Sequence, residues 1–276
     1  MKYLINGLAL SLALGSPALA QDKYVVAVDG TFAPHAMPTM DGGLEGFNID
    51  LANAIGERLG AEMEIVATQF SGILPGLQAE TYDFVIAPTT ITQERAEAYY
   101  FSEGYLNTDF QFLVKAGGPE ITALEQLKGK VVAVNKGSVY DSWARDLTDE
   151  IGWTIESYGT ATDAVQAVVS GRAFATVAGN TVSAWAAKQN PAVQLSYLHS
   201  TGLVWGMPFR KGDDQLREKV EGAIECLKTD GTIAELHVKW FGTEPAEGSA
   251  AVTPRPGWGE PEFPGHVADD HAPGCA

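Results

Sequence analysis

One arginine, Arg95, closes the run Ala87-Pro-Thr-Thr-Ile-Thr-Gln-Glu-Arg95. The run follows the apolar stretch Phe84 to Ala87, which reads as a buried strand, and it leads into a helix-prone segment. Thr90 or Thr92 can cap that helix, and free N–H groups at a helix start attract an anion. A guanidinium there adds a two-pronged donor, which suits a carboxylate better than a point charge does. The same spacing also fits an exposed arginine paired with Glu94 or Glu97. The residues alone leave both readings open.

Other loops stand where strands should end. Asp29-Gly-Thr-Phe-Ala-Pro34 follows Tyr24 to Val28, and Gln69 to Gly72 follows Glu64 to Ala67. Asn135-Lys-Gly-Ser-Val-Tyr140 follows Val131 to Val134, and Gly179-Asn180 follows Phe174 to Ala178. Ligands of open α/β sheets bind beyond the carboxyl ends of the strands, so these loops should converge. Phe32 and Phe70 could sandwich a ligand side chain; ordinary core packing is the alternative. Gly137 allows a close backbone approach, and Ser138 can both cap a helix and donate, with Val139 and Tyr140 beside it. His35, His199, His237, His266 and His271 are scattered, without metal-ligand spacing. There is no phosphate-cradling glycine loop and no nucleophile elbow, and Gly42-Gly43-x-x-Gly46 reads as a turn. We expect no metal and no cofactor.

The elements that must position these residues are legible as periodicity. Phe47, Leu51, Ile55 and Leu59 recur at helical spacing, with Gly60 as the stop; Ile73, Leu74 and Leu77 share one face of a short helix. The βαβαβ order predicts a parallel sheet wrapped by helices. A second such run follows: a strand at Val131, a helix near Val139 to Leu147, a strand at Thr154 to Ser157, a helix near Ala164 to Val169 and a strand at Phe174 to Ala178. Leu77-Gln-Ala-Glu-Thr-Tyr-Asp-Phe-Val-Ile-Ala87 echoes Val168-Val-Ser-Gly-Arg-Ala-Phe-Ala-Thr-Val-Ala178. Two similar α/β lobes follow. After Trp205 come helices at Asp214 to Leu227 and Thr232 to Phe241. From Gly242 onward a Pro/Gly/Glu/Ala-rich tail lacks a core-forming pattern.

Lys2, the apolar run Leu4 to Leu14 and the small residues Ser16 to Ala20 read as a signal peptide cleaved near Ala20. With no cysteine at that site, no lipid anchor is expected, and the mature chain is free in the periplasm or outside the cell. A formal net charge of −17 argues against nucleic acid and anionic membrane surfaces. It says little about a ligand, because acidity also keeps an exported protein soluble. Cys226 and Cys275 make an even count in an exported chain, which favours one disulfide over a buried thiol and a loose terminal one. Such a bond would strap the tail across the back of the first lobe, away from the cleft.

Several ordered motifs carry a family resemblance. They are Asp29-x-Thr-Phe-x-Pro34, Gly46-Phe-Asn-Ile-Asp-Leu-Ala52, Leu74-Pro-Gly-Leu77, Thr90-Ile-Thr-x-Glu-Arg95, Leu127-Lys-Gly-Lys-Val-Val132, Asp230-Gly-Thr-Ile-x-x-Leu236 and Lys239-Trp-Phe-Gly242. From Tyr24 to Gly242 the chain resembles the family 3 extracellular solute-binding proteins, the polar amino-acid-binding subunits of ABC importers. The resemblance implies an α/β Venus-flytrap fold with residues 21–113 and 204–242 as the first lobe, 114–203 as the second and 243–276 as the tail. It implies a monomer that delivers a small carboxylate ligand to a membrane permease. It implies that Arg95 and Thr90 grip the carboxylate, helped by N–H groups around Ser138 and Val139. Phe32 would cover the ligand, Phe70 would form a second wall, and Asp29 would reach its distal end.

Two departures bear on the ligand. The family places an aspartate for the α-ammonium where this chain has Gly179, followed by Asn180, and small polar residues where it has Ala87 and Pro88. An N-substituted or cyclic amino acid, a betaine-like zwitterion or another carboxylate is therefore as admissible as an ordinary amino acid. The fold also resembles periplasmic cyclohexadienyl dehydratases, whose chemistry needs a general acid. Asp141 and Asp29 are the nearby candidates, and neither has an evident partner. We expect a binding protein rather than an enzyme; an accessory or sensor subunit is the remaining alternative.

Overall fold

A computed structural model describes residues 22 to 275. The signal peptide expected at residues 1–20 lies outside the described residues. Strand β1 (Asp22–Val28) ends fully buried at Val26, Ala27 and Val28, as a strand covered on both faces must. A two-residue hairpin, β2 (Met37–Pro38) and β3 (Leu44–Glu45), leads to α1 (Phe47–Leu59), which stops at Gly60 in the left-handed conformation. Strand β4 (Ala61–Ala67) pairs in parallel with β1. Helix α2 (Phe70–Gln78) buries Phe70, Ile73 and Leu77, leaving Leu74 half-buried. Strand β5 (Phe84–Val85) completes a parallel sheet of order β4-β1-β5. It is shorter than its apolar run suggests, because the N–H groups of Ile86 and Ala87 both turn onto the Ala27 carbonyl, at 3.0 and 3.1 Å.

The chain continues through β6 (Thr89–Thr90), α3 (Gln93–Ala98) and β7 (Tyr99–Phe101), then crosses to the second lobe. That lobe contains β8 (Leu106–Lys115), β9 (Val131–Asn135), α4 (Val139–Asp146), α5 (Thr148–Ile151) and β10 (Thr154–Tyr158). It continues with α6 (Ala161–Val169), β11 (Ala175–Gly179), α7 (Asn180–Gln189) and β12 (Val193–Gly206). Its sheet has the order β10-β9-β11-β8-β12-β6, with β8 antiparallel to both β11 and β12. Strand β8 runs from the crossing into this sheet, whose edge strand is β6 of the first lobe. The return crossing leads to β13 (Pro208–Arg210), which pairs with β7, and then to α8 (Asp214–Thr229) and α9 (Thr232–Phe241) against the first lobe. The two-lobed α/β architecture is the one expected.

The tail is irregular but held. On α8, Arg217, Glu221, Glu225 and Lys228 form one stripe at helical spacing, and all four are buried. Tail groups meet part of their hydrogen-bonding need, while Arg217 Nε and Nη2 and Glu221 Oε2 are left without hydrogen-bond partners. The Gly259 N–H donates to Glu221 (2.6 Å), while Arg217 donates to the Gly265 carbonyl (2.9 Å) and Lys228 to that of Thr253 (3.3 Å). His271 pairs with Glu225 at 3.0 Å and stacks on Trp258 at 3.7 Å. Cys226 and Cys275 form the expected disulfide, with Cα atoms 5.3 Å apart. Two parts of the expectation change. A polar network holds the segment together with the covalent tie. The tail also reaches the first crossing, where the Gly104 N–H donates to Glu260 (2.7 Å) and the Ala250 N–H to Asn107 (2.9 Å).

A disulfide spanning 49 residues should stabilise the tail's docking by about 2–4 kcal/mol. Reduction, or Cys275→Ser, should open the segment after Gly242 to limited proteolysis while ligand affinity stays within about twofold. Mass mapping of the cleavage sites checks this; cleavage inside either lobe would contradict it.

Candidate functional site

Arg95 lies in the first turn of α3. Its N–H is capped by Thr92 Oγ1 at 3.2 Å, so Thr92 is the cap and Thr90 is left in β6. The guanidinium reaches back, with Nη1 donating to the Thr90 carbonyl (3.1 Å) and Nη2 to the Gly137 carbonyl on the opposite lobe (3.3 Å). It lies 5.7 Å from the centre of the Phe70 ring. Burial lowers its pKa to about 10, which leaves it a cation at neutral pH. Among the described residues no ion pair within 4.0 Å involves Arg95. The alternative of an arginine paired with Glu94 or Glu97 is set aside on that ground.

Arg95 faces a narrow cavity of about 10 Å³, lined by Asp29, Phe32, Phe70, Ala87, Pro88, Thr90, Asn135, Ser138, Val139 and Tyr140 as well. Asp29 is buried. Its Oδ1 accepts from the Thr31 N–H (2.9 Å) and hydroxyl (2.7 Å), and its Oδ2 accepts from Asn135 Nδ2 (3.1 Å). Among the described residues it also has no ion-pair partner. Asn135 Oδ1 and Tyr140 Oη are buried without hydrogen-bond partners. The Ser138 hydroxyl caps α4, accepting from the Asp141 N–H (3.3 Å), and donates to the Asn135 carbonyl (2.6 Å). The Ser138 N–H donates to the same carbonyl (3.2 Å), so both its hydroxyl proton and its N–H are committed. Asp141 is committed to Arg145 at 2.7 Å and to the Gly137 N–H at 3.1 Å.

Gly179 and Asn180 do not line this cavity. A Cβ on Gly179 would lie 2.6 Å from Trp205 Cζ2 and 2.9 Å from Tyr140 Oη, so those side chains occupy the volume where an acid would project. Trp205 is held there by its indole N–H, which donates to Thr90 Oγ1 at 3.1 Å. Asn180 Oδ1 accepts from the Asp109 N–H (3.4 Å) and faces a different groove, beside Thr181 and His237. Asn135 and Trp205 are the members that sequence reasoning missed. Asn135 stands in a flagged loop, but nothing in its spacing singles it out. Trp205 enters from the return crossing strand, far from every loop considered.

Outside the cavity the lobes are joined by His35. Its Nδ1 lies 2.9 Å from Asn48 Oδ1, and its Nε2 lies 2.8 Å from Thr181 Oγ1 on the second lobe. Asn48 already donates its amide hydrogens to the Ile86 carbonyl and Tyr105 Oη, so the neutral ring donates from Nδ1 and accepts at Nε2. Gly46 makes room: its φ is 143°, and a Cβ there would lie 2.3 Å from the His35 carbonyl. Burial drives the His35 pKa from 6.5 down to about 3. The unfolded chain takes up a proton that the folded chain refuses, so stability falls as pH drops from 6.5 towards 3. At pH 5 that amounts to about 2 kcal/mol. Glu221 works oppositely, since burial raises its pKa to about 8, and its contribution is lost as pH rises from 4.5 to 8. His35→Gln should therefore show a smaller fall in melting temperature from pH 7 to pH 5 than the parent. Parallel curves would contradict the assignment.

Two lobes joined by crossing strands, with an unpaired guanidinium and an unpaired carboxylate enclosed between them, define a solute-binding protein. Residues 24–243 match the family model for bacterial extracellular solute-binding proteins, family 3, and the chain belongs to that family. It is 31% identical over 247 residues to the L-arginine-binding protein of Pseudomonas aeruginosa, covering 86% of this chain and 95% of that one. It is 31% identical over 222 residues to the L-cystine-binding protein TcyJ of Escherichia coli, covering 80% and 83%. Among solved structures, an ancestral arginine-binding protein bound to arginine superposes with a TM-score of 0.77 at 37% identity, covering 80% of this chain and 99% of that one. These likenesses are to solute-binding transport proteins, and this chain is one of them rather than an enzyme.

Proposed function

We propose that the protein captures a small amino acid or amino-acid derivative in the periplasm and delivers it to the permease of an ABC importer. Residues 1–20 would direct its export. One observation carries the reading: a half-buried cation, Arg95, and a buried anion, Asp29, line one cavity with no ion-pair partner among the described residues. Burying unpaired charge is costly, so each group calls for its complement on a ligand. A carboxylate fits Arg95, supported by the Val139 N–H at the start of α4, while Phe32 and Phe70 wall its apolar part and Asp29 receives a cationic group. The related arginine- and cystine-binding proteins carry names consistent with such a ligand.

A thermal-shift series over amino acids, their derivatives and simple carboxylates tests this. A ligand that binds only the folded state stabilises it by about 2.7 kcal/mol at a hundred times its dissociation constant. At least one carboxylate should raise the melting temperature. If none does and an amine does, the reading fails.

A further inference from the structure

We infer that the ligand carries its cation at the end remote from its carboxylate and has no α-ammonium: an ω-amino or ω-guanidino carboxylate. The inference rests on the carboxylate-binding reading above and adds where the second charge sits. Among the cavity's lining residues, Arg95 is the one cation and Asp29 the one anion, and no ion pair joins them. The complement of that lining is a molecule with one charge of each sign.

An α-ammonium would sit one carbon from the carboxylate and would need acceptors beside Arg95. Each acceptor at that end already takes one hydrogen bond, and none carries the negative charge that would balance an ammonium. The Thr90 carbonyl accepts from Arg95 (3.1 Å), and Thr90 Oγ1 accepts from the Trp205 indole (3.1 Å). The Ala87 carbonyl accepts from the Thr89 hydroxyl (2.9 Å), and the Ile86 carbonyl accepts from Asn48 (2.7 Å). Ala87 and Pro88 offer no polar side chain. Gly179 offers none either, and the volume in front of it holds the indole edge and the Tyr140 phenol. That phenol is a donor in need of an acceptor, and burial pushes its pKa up, which keeps the proton on. It suits a second carboxylate contact and repels no anion.

Around Asp29 the balance is reversed. Asn135 Nδ2 donates to Asp29 Oδ2 at 3.1 Å, which sets the amide oxygen of Asn135 on the same wall. That oxygen is buried without a donor. A carboxylate and an amide carbonyl together can receive several N–H bonds, as a terminal guanidinium or ammonium supplies. Phe32 and Phe70 line the space between for a methylene chain.

Calorimetry on the full mature protein with arginine, 5-guanidinopentanoate, agmatine and pentanoate tests the inference. These probes keep both end groups and the α-ammonium, remove the α-ammonium, remove the carboxylate, or remove both nitrogen groups. We expect 5-guanidinopentanoate to bind at least tenfold more tightly than arginine and at least a hundredfold more tightly than agmatine. The pair 6-aminohexanoate and lysine should follow the same order, whichever cation the site prefers. Arginine and lysine binding as tightly as their deaminated analogues, or more tightly, would overturn the inference and leave the carboxylate reading intact. Agmatine binding best would overturn both. Asp29→Asn should weaken 5-guanidinopentanoate at least tenfold more than it weakens pentanoate. Equal losses would give Asp29 a structural role only and overturn the distal cation site.

Discussion

Arg95→Ala should weaken binding of the best carboxylate at least a hundredfold, about 2.7 kcal/mol. The guanidinium is half-buried at the wall of the cavity, where a carboxylate deprived of it would lose its countercharge. Arg95→Lys should restore less than a tenth of the lost affinity. Two prongs of the guanidinium fix its plane, on the carbonyls of Thr90 and Gly137, and its face lies over Phe70. An ammonium cannot hold that plane and still present paired donors to a ligand. The ligand-free variant carries a further signature. Because Arg95 is a half-buried cation without an anionic partner among the described residues, its removal should leave the apo melting temperature unchanged or raise it, while abolishing the ligand-induced rise. That combination separates a binding group from a structural one. Calorimetry showing unchanged affinity in the folded variant would refute the assignment.

How much of this was legible depends on whether a residue's partner is local. Helices α1 and α9 end where their apolar period and following glycine say they should, because Gly60 and Gly242 take the left-handed conformation that stops them. The cavity loops were legible through the strand-end rule, since sheet topology alone brings Asp29, Arg95 and Ser138 together. Other features depend on distant partners. His35 read as a scattered histidine because its second-lobe partner lies 146 residues away. Gly179 showed that an acid was missing, but what fills its place comes from Tyr140 on α4 and Trp205 on the return strand. Asp214 to Leu227 read as a helix, but nothing marked its charged stripe as buried. Part of what covers that stripe is tail backbone, and backbone groups have no side-chain pattern to read.

Lys228 is where that stripe, the tail and the first crossing meet, and Lys228→Met should cost about 3–5 kcal/mol of folding stability. Its ammonium is buried and uses three contacts: Glu103 at 2.6 Å, the Gly104 carbonyl at 2.7 Å and the Thr253 carbonyl at 3.3 Å. Glu103 is equally buried, and its other oxygen accepts from the Arg255 N–H in the tail. Removing the lysine leaves that carboxylate with one hydrogen bond and no countercharge, in a buried site it shares with Glu221 and Glu225. Burial already pushes the Glu103 pKa up against the opposing pull of Lys228, so loss of the lysine should make it take up a proton on folding. Stability of the variant should then decline as pH rises from 5 to 8, where the unfolded carboxyl ionises and the buried one resists. Glu103→Gln added to Lys228→Met removes the stranded charge and should recover more than half of the loss, since the cost arises from breaking a pair rather than from lacking one. Denaturant titrations of the parent, the two single variants and the double variant at pH 5 and pH 8 give the coupling directly. Additive losses at both pH values would mean that the two groups do not interact, and the proposed role of the pair in fixing tail and crossing would fail.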